Sequence, residues 1–416
     1  MTQQVPESAA QLGAGRYVTT IEPPPGVSTS VCELATSDGA TVTGVLRVPP
    51  GASSVITIMH PRQDVTHHSL VPYLLAAGYA VWTQGSRSPN NDLNLLHEQA
   101  IIDMAAGQVY LREAGFEQVV SLGHSGGGAL TAFYCQQASL PAEQRLRAAP
   151  SGRPVPLADT TMPVPDGVVF LAPHPGQAAL LLRVIDPSVT DEADPLSADP
   201  DLDPFNPANG FVAAPESSHY DEAFVGHYRT AQLDRIRRID DVARSLAAES
   251  ARANRAFKAG GDAADRRRAL APRLITVYRT DADLRNVDLS LDPNERPYGS
   301  LFGRRPDLTN YGLVGFGRLS TAEAWLSTWS ALSSNADFVR CAPGVTVPAL
   351  LLEFAGDQAS FPSDIVRMRD ALGAADLTVA AVAGTHFGGP IRPGAPTGTA
   401  LAAERIRDWL DPRFAG

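Results

Sequence analysis

The sequence predicts an α/β fold, with a mainly parallel central sheet flanked by helices and one large, mostly helical insertion. Three observations predict it. Short, continuously apolar runs such as "SVITIMH" (Ser54–His60) and "GVVFLAP" (Gly167–Pro173) read as buried strands. They alternate with amphipathic stretches of helical period, the order of a parallel sheet with crossovers. That alternation stops near Pro175 and resumes near Pro343.

The elements follow in order. The first 28 residues are polar, rich in Pro and Gly and without period, and read as an arm. "VCELATSDGATVTGVLRV" (Val31–Val48) reads as a β-hairpin about the turn dipeptide Asp38-Gly39. After "SVITIMH", a helix over about Ser69–Ala77 stops at Gly78, and "YAVWTQ" is a strand. Asn90–Gly115 reads as a long helix capped near Asn91 or Asp92 and ended by Gly115. "QVVSLG" is a strand, "GGALTAFYCQQA" a helix and "GVVFLAP" a strand. Within the insertion, "DPLSADPDLDPFNPANG" reads as loop. Tyr220–Lys258 reads as a helix with Phe224, Tyr228, Ile236, Ile239 and Leu246 on one stripe. "RLITVYRTDADLRNVDLSL" reads as a strand pair. Ser320 and Glu323 read as a capping box before a helix carrying Trp325 and Trp329. Then come strand "VPALLLEFAGD", helix "DIVRMRDALGA", strand "DLTVAAVAG" and a closing helix. The resulting division is an arm (1–28), a core (29–174 and 344–416) and a cap insertion (175–343).

Composition narrows the function classes. The net charge of −11 does not suit a surface for nucleic acid or an anionic membrane. Lys258 is the single lysine. The three cysteines, Cys32, Cys135 and Cys341, are widely spaced and lack metal-ligand spacing, which suits reduced thiols. "MTQQVPESAAQLGAG" has no basic start and no apolar core, and no apolar run approaches the roughly 18 residues of a membrane span. The expectation is a cytoplasmic protein with a small-molecule substrate, no metal and no cofactor; a homo-oligomer is left open.

The chemistry concentrates in "VVSLGHSGGGAL". Gly123-His124-Ser125-Gly126-Gly127 fits G-x-S-x-G between a strand and a helix, the context of a nucleophile elbow. Glycine costs a helix about 1 kcal/mol relative to alanine, so three in succession at a helix start point to backbone packed too closely for side chains. A serine nucleophile needs a base and a group to orient it. Asp357 ends one later strand and His386 follows the next, so all three residues leave C-terminal strand ends, where open α/β sheets place their sites. Asp364 is the competing acid, and it also fits the cap of the helix that follows.

These three motifs, in this order, resemble the α/β-hydrolase superfamily over about Val31 to Leu410, with the insertion standing as a cap between the sixth and seventh strands. "GYAVWTQGSRSPNND" resembles a bacterial esterase-like branch. The resemblance implies a serine hydrolase in which Ser125 attacks, His386 is the base and Asp357 orients it. It implies an oxyanion hole formed by the Gly126 N–H and a donor after "SVITIMH". There the text is His60-Pro61-Arg62; Pro61 has no N–H, which leaves Arg62, with Gln63 as the alternative. A large cap implies an enclosed, mainly apolar pocket.

His124, His174, Trp325 and Trp329 are candidate substrate contacts; for the tryptophans the competing reading is core. His67-His68 reads as a helix start. Carboxylic-ester hydrolysis is the leading activity. The same residues could serve a thioesterase, a lactonase, an acyltransferase or a C–C bond hydrolase. A non-catalytic ligand-binding protein is the reading from another class.

Overall fold

The computed structural model describes residues 22–415, so most of the N-terminal arm lies outside the described residues. The first strands, β1 (Ser28–Ala35) and β2 (Thr41–Val48), form the expected antiparallel hairpin, with Gly39 at φ 83° in its turn. Then follow β3 (Ser54–Met59), α1 (Val71–Ala76), β4 (Ala80–Gln84), α2 (His97–Glu113), β5 (Gln118–His124), α3 (Gly126–Ser139) and β6 (Gly167–Leu171). The insertion carries α4 (Gln177–Val184), α5 (Glu222–Lys258), α6 (Ala263–Leu270) and the short strands β7 (Leu274–Thr276) and β8 (Leu319–Thr321). The core closes with β9 (Ala349–Gly356), α7 (Pro362–Ala371), β10 (Leu377–Thr385) and α8 (Gly398–Phe414).

Eight strands make one sheet in the order β1-β2-β4-β3-β5-β6-β9-β10. β2 runs antiparallel to both neighbours, and the six strands from β4 to β10 are parallel. This is the strand order of the α/β-hydrolase fold. The apolar runs are central because both faces are covered. On one face α2, α3 and α7 enclose Ile101, Phe133, Phe170 and Met368. On the other, α1 and α8 enclose Leu74, Val120, Leu352 and Trp409.

The insertion has its own core, in which Ile236, Ile239 and Ala243 of α5 meet Leu181, Trp325 and Trp329. It packs on the C-terminal edge of the sheet: Thr328 Oγ1 donates to the Leu95 carbonyl, and Asn294 Nδ2 donates to the Asp357 carbonyl.

Local expectations change in three places. The expected strand pair in Arg273–Leu291 is a single strand, β7, whose partner is the distant β8. The helix before Trp325 is capped by Thr321, whose side chain accepts from the Ala324 N–H, not by Ser320; Glu323 pairs with Arg153 instead of closing a box. Helix α2 begins at His97, not near Asn91 or Asp92. Asn91 caps a turn by accepting from the Leu93 N–H, and Asp92 is held by Arg62. The His97 N–H is satisfied by Ser327 Oγ from the insertion at 3.0 Å, so no neighbour in sequence needs to cap it.

Candidate active site

Ser125 lies between β5 and α3 at φ 56°, ψ −123°, a backbone conformation that side chains rarely adopt. Each surrounding glycine has an identifiable reason. A Cβ on Gly123 would lie 2.6 Å from the Gly127 carbonyl carbon, and one on Gly127 would lie 2.6 Å from the Met59 carbonyl oxygen of β3. One on Gly128 would meet Pro173 Cβ at 2.6 Å, and one on Gly126 would meet the Gln177 carboxamide. The glycines let β3, the elbow and the loop after β6 close on one another.

The structure brings Ser125, His386 and Asp357 together. Ser125 Oγ is 2.8 Å from His386 Nε2. His386 Nδ1 is 2.9 Å from both carboxylate oxygens of Asp357. Asp357 Oδ1 also accepts the N–H groups of Ala359 and Ser360, at 2.7 and 2.9 Å, which fix the carboxylate. All three residues are buried. Asp364 lies elsewhere: it sits in the first turn of α7 and pairs with Arg285.

His124 does not face outward as a substrate contact. Its Nε2 lies 3.0 Å from the His386 carbonyl, and its Nδ1 lies 2.9 Å from His68 Nε2. A carbonyl only accepts, so His124 carries its proton on Nε2 and accepts from the His68 Nε2–H. His68 in turn accepts from the Leu70 N–H on Nδ1. The chain requires both rings neutral. Burial holds His68 well below the ordinary histidine range and His124 at about 4, the latter with help from His386. His68, read from sequence as part of a helix start, therefore belongs under the site.

The expected second oxyanion donor needs correction. The Arg62 N–H donates to His60 Nδ1 at 3.1 Å and the Gln63 N–H to the same atom at 3.0 Å. Both amides are thus directed at an imidazole. Because His60 Nδ1 accepts two donors, its proton sits on Nε2, and burial keeps the ring neutral. The Arg62 guanidinium forks onto Asp92 at 2.6 and 2.5 Å and stacks 4.8 Å from the Trp329 ring and 5.2 Å from Phe316.

The remaining candidates divide. Trp325 is turned into the insertion's core, with its indole N–H donating to Asp240 at 2.7 Å. Trp329 is also fully buried, but it meets Arg62 and so lies between the insertion and the site. His174, in the loop after β6, accepts the Gly176 N–H on Nδ1 at 3.1 Å; burial first, then the nearby His386, lowers it to about 3. Among the described residues no group of three His, Cys, Asp or Glu could hold a metal ion, and no helix is long and apolar enough to cross a membrane. The three cysteines are free thiols.

Gln177, buried beside Gly126, is a residue that the sequence does not single out. Its only signal is position: it opens a helix right after the compact "PHPG" turn at the end of β6.

No protein-family model matches the sequence, and no curated protein does. Solved structures with a similar trace include the alpha/beta hydrolase GrgF from Penicillium sp. sh18, at 12% identity and TM-score 0.46, covering 94% of this chain and 100% of that one. Another is the esterase domain of a Rhodothermus marinus protein, at 10% identity and TM-score 0.42, with coverage of 94% and 100%. A third is Est1E from Butyrivibrio proteoclasticus, at 11% identity and TM-score 0.43, with coverage of 93% and 99%.

Proposed function

We propose that this protein is a serine hydrolase that cleaves a carboxylic ester of a small molecule through an acyl-enzyme. The observation that carries the reading is the continuous chain Ser125 Oγ–His386–Asp357, at 2.8 and 2.9 Å, on a serine held at φ 56°. In the proposed reaction His386 Nε2 takes the Ser125 proton as Oγ bonds to the ester carbon. The C=O pair moves onto oxygen, beside the Gly126 N–H at the start of α3. Collapse expels the alcohol, which leaves with the proton from His386. A water, deprotonated by the same nitrogen, then releases the acid and restores Ser125. Asp357 keeps the His386 proton on Nδ1 and stabilises the imidazolium.

The insertion is proposed to cover this site. His60 and His174 are buried, neutral rings, each accepting a backbone N–H on Nδ1 and so carrying its proton on Nε2. The test is a fluorophosphonate label followed by a panel of ester, thioester, lactone and diketone substrates. Covalent capture at Ser125, with turnover of esters ahead of the other classes, is expected. Absence of labelling, with turnover surviving Ser125→Ala, contradicts the reading.

A further inference from the structure

An oxyanion donor must point at the developing charge and not at another acceptor. The Arg62 and Gln63 amides, the backbone candidates at the end of β3, both end on His60 Nδ1. The Gly126 N–H is left in need of a companion, and the carboxamide of Gln177 stands beside it.

Gln177 is the first residue of α4 and is 2% exposed. Its Oε1 has no hydrogen-bond partner among the described residues. Leaving such a group buried and unpaired is unfavourable, and a polar group kept that way calls for an explanation. Its location supplies one. A Cβ on Gly126 would lie 2.6 Å from Gln177 Oε1 and closer still to Nε2. The carboxamide therefore fills the space where the residue after Ser125 would carry its own side chain. The unpartnered atom as placed is an acceptor; rotating the amide by 180° exchanges Oε1 and Nε2 and puts the NH₂ at that unpartnered position, still beside Gly126.

The loop holds Gln177 there by built features. Gly176 adopts φ 132°, and a Cβ on it would fall 2.5 Å from the Ala336 carbonyl oxygen. Its N–H is fixed on His174, and the Pro175 carbonyl accepts the Phe338 N–H at 2.8 Å.

We propose that the Gln177 side-chain NH₂ is the second oxyanion donor, acting with the Gly126 N–H; this rests on Ser125 being the nucleophile. As the Ser125 Oγ–carbon bond forms, the carbonyl π pair localises on oxygen and the two N–H groups hold that charge. Neither gives up its proton. When the C–O bond to the leaving group breaks, the pair returns to re-form C=O.

The test uses the full chain, p-nitrophenyl butyrate as substrate and a butyl trifluoromethyl ketone as tetrahedral mimic. Gln177→Met, of similar length but without the donor, is expected to lower kcat about a hundredfold with KM within about threefold. Affinity for the ketone should weaken by a similar factor, which a purely structural role would not produce. Gln177→Glu, isosteric but anionic, should be at least as damaging, and it decides the question if the Met variant does not fold. A Gln177→Met kcat within about threefold of wild type, or a loss confined to KM, overturns the proposal. With Ser125→Ala inactive, that result removes the Gln177 role alone; turnover by Ser125→Ala would remove the nucleophile as well.

Discussion

His124 donates its Nε2–H to the backbone carbonyl of His386, 3.0 Å away, and so ties the residue before the nucleophile to the proposed base. Replacing it with alanine removes two buried hydrogen bonds, to the His386 carbonyl and from the His68 Nε2–H. We expect His124→Ala to cost about 2–5 kcal/mol of stability and to lower kcat about tenfold with KM little changed. His68→Ala should do less, because His124 keeps its bond to His386. Calorimetry and initial rates taken well below both melting temperatures check the order; equal or reversed effects contradict it.

Asp357→Asn should be unusually damaging for an isosteric change. Asp357 Oδ1 is bound by the Ala359 and Ser360 N–H groups, so an asparagine would turn its oxygen to them and its NH₂ to His386. Nδ1 must then accept, which moves the proton to Nε2 and blocks uptake of the Ser125 proton. A loss of about 10⁴ in kcat is expected, close to that of Ser125→Ala, with the melting temperature little changed. Asp364→Asn, which loosens Arg285, should act mainly on stability. The opposite ranking in steady-state kinetics would reassign the acid.

The parts of the site visible in the sequence are those encoded locally. Continuously apolar β3, β5, β6 and β9 announce a sheet covered on both faces, and glycines flanking Ser125 announce backbone contact. The order Ser125, Asp357, His386 follows from which strand ends come next. What escaped depends on partners far along the chain. The cap of α2 comes from Ser327, 230 residues from His97. β7 finds β8 across a long irregular segment, and His68 meets His124 only after β3 and β5 pair. The His60 imidazole intercepts the Arg62 amide from two residues away, a competition between side chain and backbone that residue types alone do not decide.

Acid should weaken the fold through its buried histidines. Burial lowers His97 and His124 to about 4 and His174 to about 3, and it holds His60 and His68 well below their ordinary range. Each binds a proton more weakly folded than unfolded, so its stabilising contribution is complete above about pH 6.5 and is lost as pH falls toward the folded value. Buried carboxyls oppose this: burial raises Asp281 to about 6 and also raises Glu98, Asp103, Asp203 and Glu353, and protonating them favours the folded state as pH falls. Between about pH 6.5 and 5 the histidines dominate, because that window begins at the ordinary histidine value and lies above the ordinary carboxylate range. Denaturant titrations across that window should show stability falling, with about two to four protons taken up per molecule unfolded. His174→Gln should remove about one of them. Stability that is flat or rises toward pH 5 would contradict the assignment.

The three helix-starting glycines should differ in what alanine does at each. Alanine favours a helix by about 1 kcal/mol, so any net loss measures the collision. At Gly127 the obstacle is the Met59 carbonyl of β3, backbone in the centre of the sheet, which cannot withdraw without breaking strand pairing. At Gly128 it is the rigid ring of Pro173. At Gly126 it is the end of the Gln177 side chain, which can swing away by rotamer change. The expected order of destabilisation is Gly127→Ala, then Gly128→Ala, then Gly126→Ala, with the last close to wild type in melting temperature. Gly126→Ala should nonetheless lose most of its turnover, because the methyl group displaces the carboxamide from beside the nucleophile. Adding Gln177→Met to Gly126→Ala should then cost little more, since both changes remove the same donor and their effects are not additive. A double variant whose kcat loss equals the product of the single losses would mean that Gly126 and Gln177 act independently.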